Sequence, residues 1–544
     1  MQEIKAADFG VLPGKDVTRE VSALCAALTD IPGEKTVRFA AGTYHLRSDL
    51  CEKRRLVITN TVGDKEFSPE ETPHENAVPF YLENIEDLTL DFGSAVFVID
   101  GKVTNFAAVG CRNLTVKNLT IRHSRPDMHE LRVTRVTPVS VDFEADRDTD
   151  LYFKGDTPYF RGRDYDYPVA RNAATSGWIG HIRACTPDRL ARVQHPLCAA
   201  VRTKRLGERR FRAYFPNTWR FKKGDLYYIF DVRRQFAGIF LDRCANVRLE
   251  NIKQRFNYSL ALVAQDCANI EADHLEFAPE ATDARRMASV ADFIQICMCR
   301  GDVSITNSVF DGAGDDCLNV HGIHFAVTEK AGDRLTVRFK HPQTHGFLPL
   351  RVGDTVAFIS PKTLLETGRT SIEAARLLNE YEIELTVSDA SKAEVGCVIE
   401  DVDACPNVVF ASNTLNRIIT RGLLLTTRGK VLVENNRFVS TTMSGILLSD
   451  DAKSWYESGM CCNVTVRGNT FAYCGQTPIR ILPENAVHAG PVHKNIHIVR
   501  NRFERYKGFC ITAKSTDNLQ VTGNRFLCGK PLKTVRCTHV RLED

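Results

Sequence analysis

The sequence predicts an all-β chain: a right-handed parallel β-helix, or solenoid, interrupted by two inserted small β-barrel-like domains. Three observations predict it. A nine-residue phrase recurs, its copies fall 23 residues apart or at that spacing plus a loop, and two long segments lack it. Repetition at a fixed period of this length is the mark of a stacked architecture, in which each coil buries its apolar face against the next.

The phrase is clearest near the C-terminus: NVTVRGNTF from Asn463, NIHIVRNRF from Asn495 and NLQVTGNRF from Asn518, with variants from Lys430 and Asn407. Looser copies begin at Asn113, Asn246, Asn269 and Asp302. Apolar residues alternate and many are β-branched, which is the pattern of a strand rather than a helix. The recurring Asn six residues in suits a turn with left-handed backbone and a ladder of stacked side chains. Cys244 and Cys267 share one repeat position, and Cys405 stands at the same offset from its own Asn. Most of the 18 cysteines therefore read as reduced core residues, and the spacings offer no paired C-x-x-C set for a metal.

The breaks in the rhythm divide the chain into five parts. Residues 1–125, 237–324 and 404–544 belong to the β-helix, residues 126–236 form the first insertion, and residues 325–403 form the second. Charge is nearly balanced, 71 Lys and Arg against 67 Asp and Glu, so neither a nucleic-acid binder nor a membrane-surface protein is expected. The opening MQEIKAADFG lacks an apolar signal core. The chain as it stands is expected in the cytoplasm, or outside it where a leader has been removed.

The residues with chemistry are Asp315 and Asp316, in DGAGDDCLNVHG from Asp311. Asp292, in ADFIQICM, lies 23 residues before Asp315, which is one coil. The two are expected at one angular position on neighbouring coils, about 4.8 Å apart. Stacked acids raise one another's proton affinity, so three on one face need a use. Glycoside hydrolysis has that use: one acid protonates the leaving oxygen and a carboxylate activates water. Asp292, between Ala291 and Phe293, is the candidate general acid. Asp315 and Asp316 are the candidate base pair. A separation of about 6.5–9.5 Å would admit the water of an inverting mechanism.

Other uses of these residues stay open. The Asp pair after two glycines could cap a turn, and clustered acids could hold calcium, although the spacing does not match an EF-hand; no metal or cofactor is expected. Gln295, three residues after Asp292, could face the same cleft. His321 is a sugar ligand or a satisfied core histidine. Arg421 and Arg428, flanking GLLLTT, are substrate contacts or ion-pair partners of the acids. Trp178, Trp219 and Trp455 could stack on sugar rings, though each fits packing equally well.

ITNTVGDKEFSPEETPH (Ile58 to His74), GKVTNF (Gly101 to Phe106), RPDMHELRV (Arg125 to Val133), ADFIQ (Ala291 to Gln295) and GAGDDCLNVHG (Gly312 to Gly322) together resemble glycoside hydrolase family 110 over nearly the whole chain. The resemblance implies a β-helix with two inserted β-barrels. It implies an exo-acting, inverting α-1,3-galactosidase that removes terminal galactose from blood-group B or related linear α-1,3-linked glycans. It puts the general acid on Asp292 and the base carboxylates on Asp315 and Asp316. It also implies dimerisation through an inserted barrel. Two rivals are a polygalacturonase-like pectin hydrolase, for which Arg421 and Arg428 would hold uronate carboxylates, and a non-catalytic carbohydrate-binding β-solenoid.

Overall fold

The computed structural model describes residues 2–61, 74–170, 178–183, 188–230, 234–281 and 284–543. Residues 62–73 of the Ile58 to His74 run and the side chain of Trp178 lie outside them.

Three long parallel sheets of 13, 11 and 12 strands run the length of the molecule. A typical coil contributes one strand to each, so strands far apart in sequence become neighbours: Ile294–Cys297 pairs with Leu318–Ile323, which pairs with Leu423–Thr426. The inward residues form one apolar core along the axis, from Ile4 to Val521. The α-helix Thr18–Ala27 closes the N-terminal end, burying Val21, Leu24 and Cys25. No helix among the described residues is long and apolar enough to cross a membrane.

The repeat phrase explains how the coils stack. Its ninth residue makes a ladder of near-parallel rings, Phe438, Phe471, Phe503 and Phe526, with centroids 4.7, 5.2 and 5.0 Å apart. Its Asn makes a second ladder. The backbone N–H groups of Asn413, Asn436, Asn469 and Asn501 each donate to the side-chain oxygen of the Asn one coil on, at 2.8–2.9 Å. These side chains are buried, and the ladder satisfies amide groups that would otherwise cost about 1–3 kcal/mol each. The left-handed residue is not this Asn but the one before it: Ser412, Asn435, Gly468, Arg500 and Gly523 all have φ between 54° and 68°.

The thiol ladder is longer than the phrase suggests. The residues after Cys111, Cys244 and Cys267 are coil neighbours of one another, and each of the three cysteine carbonyls accepts from the next coil. Cys299 continues the column. Cys405 does not join it; its thiol turns to the Asp401 carbonyl and the Glu400 carboxylate.

Both insertions leave the coil beside the 12-stranded sheet. The second is a closed six-stranded barrel, from Phe325–Ala331 to Val398–Asp401, with its own core. The first is a seven-stranded antiparallel sheet running from Arg189–Gln194 at one edge to Arg202–Arg205 at the other, with a separate three-stranded sheet, Asp150–Lys154 to Asp166–Pro168. No pair joins its two edges among the described residues. It also has its own apolar core, centred on Phe143, Phe160 and Phe211.

Candidate active site

The parallel register sets the site. Ile294 lies opposite Leu318, and Leu318 opposite Leu423. Two residues earlier, the same offsets of 24 and 105 align Asp292 with Asp316 and Asp316 with Arg421. The register is therefore 24 rather than the expected 23, and Asp316, not Asp315, shares the column with Asp292. The Asp316 N–H donates to Asp292 Oδ1 at 2.9 Å. All the charged groups sit where their strands enter the 12-stranded sheet.

The glycines of DGAGDD are required here. A Cβ on Gly314 would lie 2.2 Å from the Val290 carbonyl oxygen, and one on Gly312, which has φ of +88°, 2.3 Å from that of Arg286. Only glycine lets this segment pass so close to the segment that carries Asp292.

The three acids have different surroundings. Asp316 is buried and fully engaged: both its oxygens accept from Arg421 Nε at 2.9 Å, and Oδ1 also accepts from the Arg421 N–H at 2.9 Å and from the Thr420 hydroxyl. Asp315 is half-buried. Its Oδ2 accepts from Arg234 at 2.6 Å, with Arg192 at 3.6 Å, and the described residues give its Oδ1 no partner. Burial opposes its charge, but Arg234, Arg192 and Arg421 outweigh that and hold it below the usual carboxylate range. Asp292 is pushed well above that range, first by burial and then by the negative charges of Asp315 and Asp316. A carboxyl kept protonated beside one kept ionised is a proton donor facing a proton acceptor.

Next to Asp292 a pocket opens, lined by Asn60, Gln295, His321, His341, Trp455 and Glu457 among others. The Asn60 amide reaches Asp292 Oδ2 at 3.2 Å. His321 Nδ1 donates to the Gly322 carbonyl at 2.8 Å, which leaves Nε2 to accept from Gln295 Nε2 at 3.0 Å. Gln295 Oε1, Asn60 Oδ1 and the nearby Asn319 Oδ1 are buried acceptors without a partner among the described residues. Buried acceptors of this kind call for a donor such as a hydroxyl. Trp455 stacks on His341 of the second insertion, centroids 4.3 Å apart, and is about half exposed. Trp219 is on the open surface.

Two comparisons bear on this arrangement. A family model described as GLAA-B beta-barrel domain II matches residues 334–396, and one described as right handed beta helix region matches residues 382–526. The chain is 33% identical over 531 residues to "Alpha-1,3-galactosidase A" of Bacteroides thetaiotaomicron, covering 94% of this chain and 89% of that protein. The chain belongs to glycoside hydrolase family 110. Family 110 relatives also include "Alpha-1,3-galactosidase A" of Streptomyces avermitilis, at 31% identity over 95% of this chain and 86% of that one. "Alpha-1,3-galactosidase B" of Phocaeicola vulgatus is 27% identical, over 96% and 89%.

Not every residue singled out in the sequence of this family 110 chain reaches the site. Asp292, Asp315, Asp316, Gln295, His321 and Arg421 come together. Arg428 does not: it is locked between Glu400, at 2.7 Å, and Glu366, at 3.1 Å, of the second insertion. It follows the strand that Arg421 precedes, and seven extended residues span about 23 Å. Sequence reasoning missed Arg192, Arg234, Asn60 and Glu457. The first two lie in or beside the first insertion, where no repeat register indexes them. Asn60 was visible only as part of the family 110 run beginning at Ile58.

Proposed function

We propose that this family 110 chain is an exo-acting α-1,3-galactosidase that hydrolyses terminal α-1,3-linked galactose from blood-group B or linear glycans with inversion. Asp292 is the general acid. Asp315 is the base that deprotonates water, since its Oδ1 has no partner among the described residues while Asp316 is saturated by Arg421 and Thr420. Asp316 holds the site together, presenting its N–H to the acid and its carboxylate to Arg421. The pocket with Gln295 and His321 receives the galactose, its unpartnered acceptors taking sugar hydroxyls.

The observation that carries this reading is the split environment of Asp292 and Asp315 within one cluster. The relatives' names support the substrate class. The test is turnover of α-1,3-galactobiose by the native chain and by Asp292→Asn and Asp315→Asn. Both variants should lose it by about 10²-fold or more, and full activity in either would end the assignment.

A pectin-hydrolase reading needs free cations to hold uronates. Arg421 is paired with Asp316 and Arg428 with Glu400, so the residues that recommended it are occupied.

A further inference from the structure

The segment carrying Asn60 is tied down on two sides. The Thr59 N–H donates to Gln265 Oε1 at 2.9 Å, and Gln265 Nε2 returns a bond to the Val57 carbonyl at 3.1 Å. The Asn60 N–H donates to the Gln343 carbonyl of the second insertion at 2.7 Å. Asn60 itself is buried, with φ of 60°, a conformation Asn adopts more readily than most residues. Its side chain ends against the acid: Nδ2 lies 3.2 Å from Asp292 Oδ2, while Oδ1, in the wall of the pocket, is buried without a partner among the described residues.

The Asp292 carboxyl has two hydrogen-bond partners among the described residues, the Asp316 N–H on Oδ1 and the Asn60 amide on Oδ2. The shorter of the two, 2.9 Å against 3.2 Å, falls on Oδ1 and makes it the carbonyl-like oxygen, so the proton of the neutral acid belongs on Oδ2. We propose that Asn60 is a positioning residue for the general acid, fixing Oδ2 toward the glycosidic oxygen and donating to it as it becomes an anion. This rests on the assignment of Asp292 above.

In the step itself the bond from the anomeric carbon to the glycosidic oxygen breaks, and its electron pair stays on that oxygen. The Oδ2 proton moves to it, and the acceptor sugar leaves as a neutral alcohol. Water bonds to the anomeric carbon and passes a proton to Asp315. Solvent then takes that proton and restores the one on Asp292. Negative charge builds on Oδ2 only during proton transfer, so the Asn60 bond strengthens in the transition state.

A leaving group that needs no proton separates this role from a structural one. Asn60→Gly deletes the amide and accepts the left-handed backbone without strain; Asn60→Asp keeps the shape and removes the donor. On α-1,3-galactobiose, kcat/KM should fall about 10- to 100-fold in both variants, the range for a hydrogen bond to a charged group. On α-galactosyl fluoride, whose fluoride departs unprotonated, the loss should be at least about fivefold smaller, the remainder being the Asn60 Oδ1 contact with the sugar. Equal losses on both substrates, or none on either, would overturn the proposal. Asp292→Asn serves as the reference. If it shows no selectivity between the substrates, the acid assignment is wrong; if it does and the Asn60 variants do not, only the role of Asn60 falls.

Discussion

The backbone N–H of Asp316 donates to Oδ1 of Asp292 across one coil, at 2.9 Å. The acid is thus held by the main chain of the residue whose carboxylate raises its proton affinity. An amide oxygen can accept the same bond, so Asp292→Asn should fold as the native chain does. Its melting temperature should stay within a few degrees while turnover of α-1,3-galactobiose falls about 10²- to 10⁴-fold. Calorimetry beside a turnover assay checks both halves.

The pH profile of kcat/KM should be a bell. Its acid limb reports protonation of Asp315, which its arginines hold below the usual range near about 3.9. Its alkaline limb reports loss of the Asp292 proton, displaced upward by burial and by Asp315 and Asp316. The stability signs are opposite. The raised pKa of Asp292 favours the fold below its unfolded value, and that contribution is lost as pH rises through the folded one. The depressed pKa of Asp315 favours the fold above its unfolded value and is lost as pH falls. The melting temperature of Asp292→Asn should therefore gain on the native chain as pH rises, and a constant difference would contradict this.

Removing the guanidinium of Arg421 leaves Asp316, whose side chain is 2% exposed, with the Thr420 hydroxyl and one N–H among the described residues. Breaking a buried pair on one side costs about 3–5 kcal/mol. A urea titration of Arg421→Ala should show that loss, and Arg421→Lys, which cannot reproduce the planar contact, should recover only part of it.

Arg428→Ala should destabilise by a similar amount, about 3–5 kcal/mol, because Glu400 is almost wholly buried. Its kcat/KM on α-1,3-galactobiose should match that of the native chain. A drop of about tenfold or more at unchanged stability would return Arg428 to the substrate site.

The contrast between these two arginines shows what the sequence could say. Both flank GLLLTT, and one-dimensional spacing cannot tell which end of a strand faces the acids. The coils themselves were legible, because alternating apolar residues and the repeated Asn and Phe each become a physical ladder, from Asn413 to Asn524 and from Phe438 to Phe526. The register at the site was one residue out. The Asn phrase governs the sheet that starts each coil, while the strand after Asp292 lies beyond two turns of variable length, and the coil offsets there run 32 and then 24. Arg192 and Arg234 were hidden for a different reason: they reach the acids from the first insertion and its return, so only the folded chain brings them to Asp315.

Inversion by Asp292 and Asp315 is tested most directly by the anomer first released. In a proton NMR time course on blood-group B trisaccharide and on α-1,3-galactobiose, β-galactose should appear first and mutarotate later. Initial release of α-galactose would contradict the account.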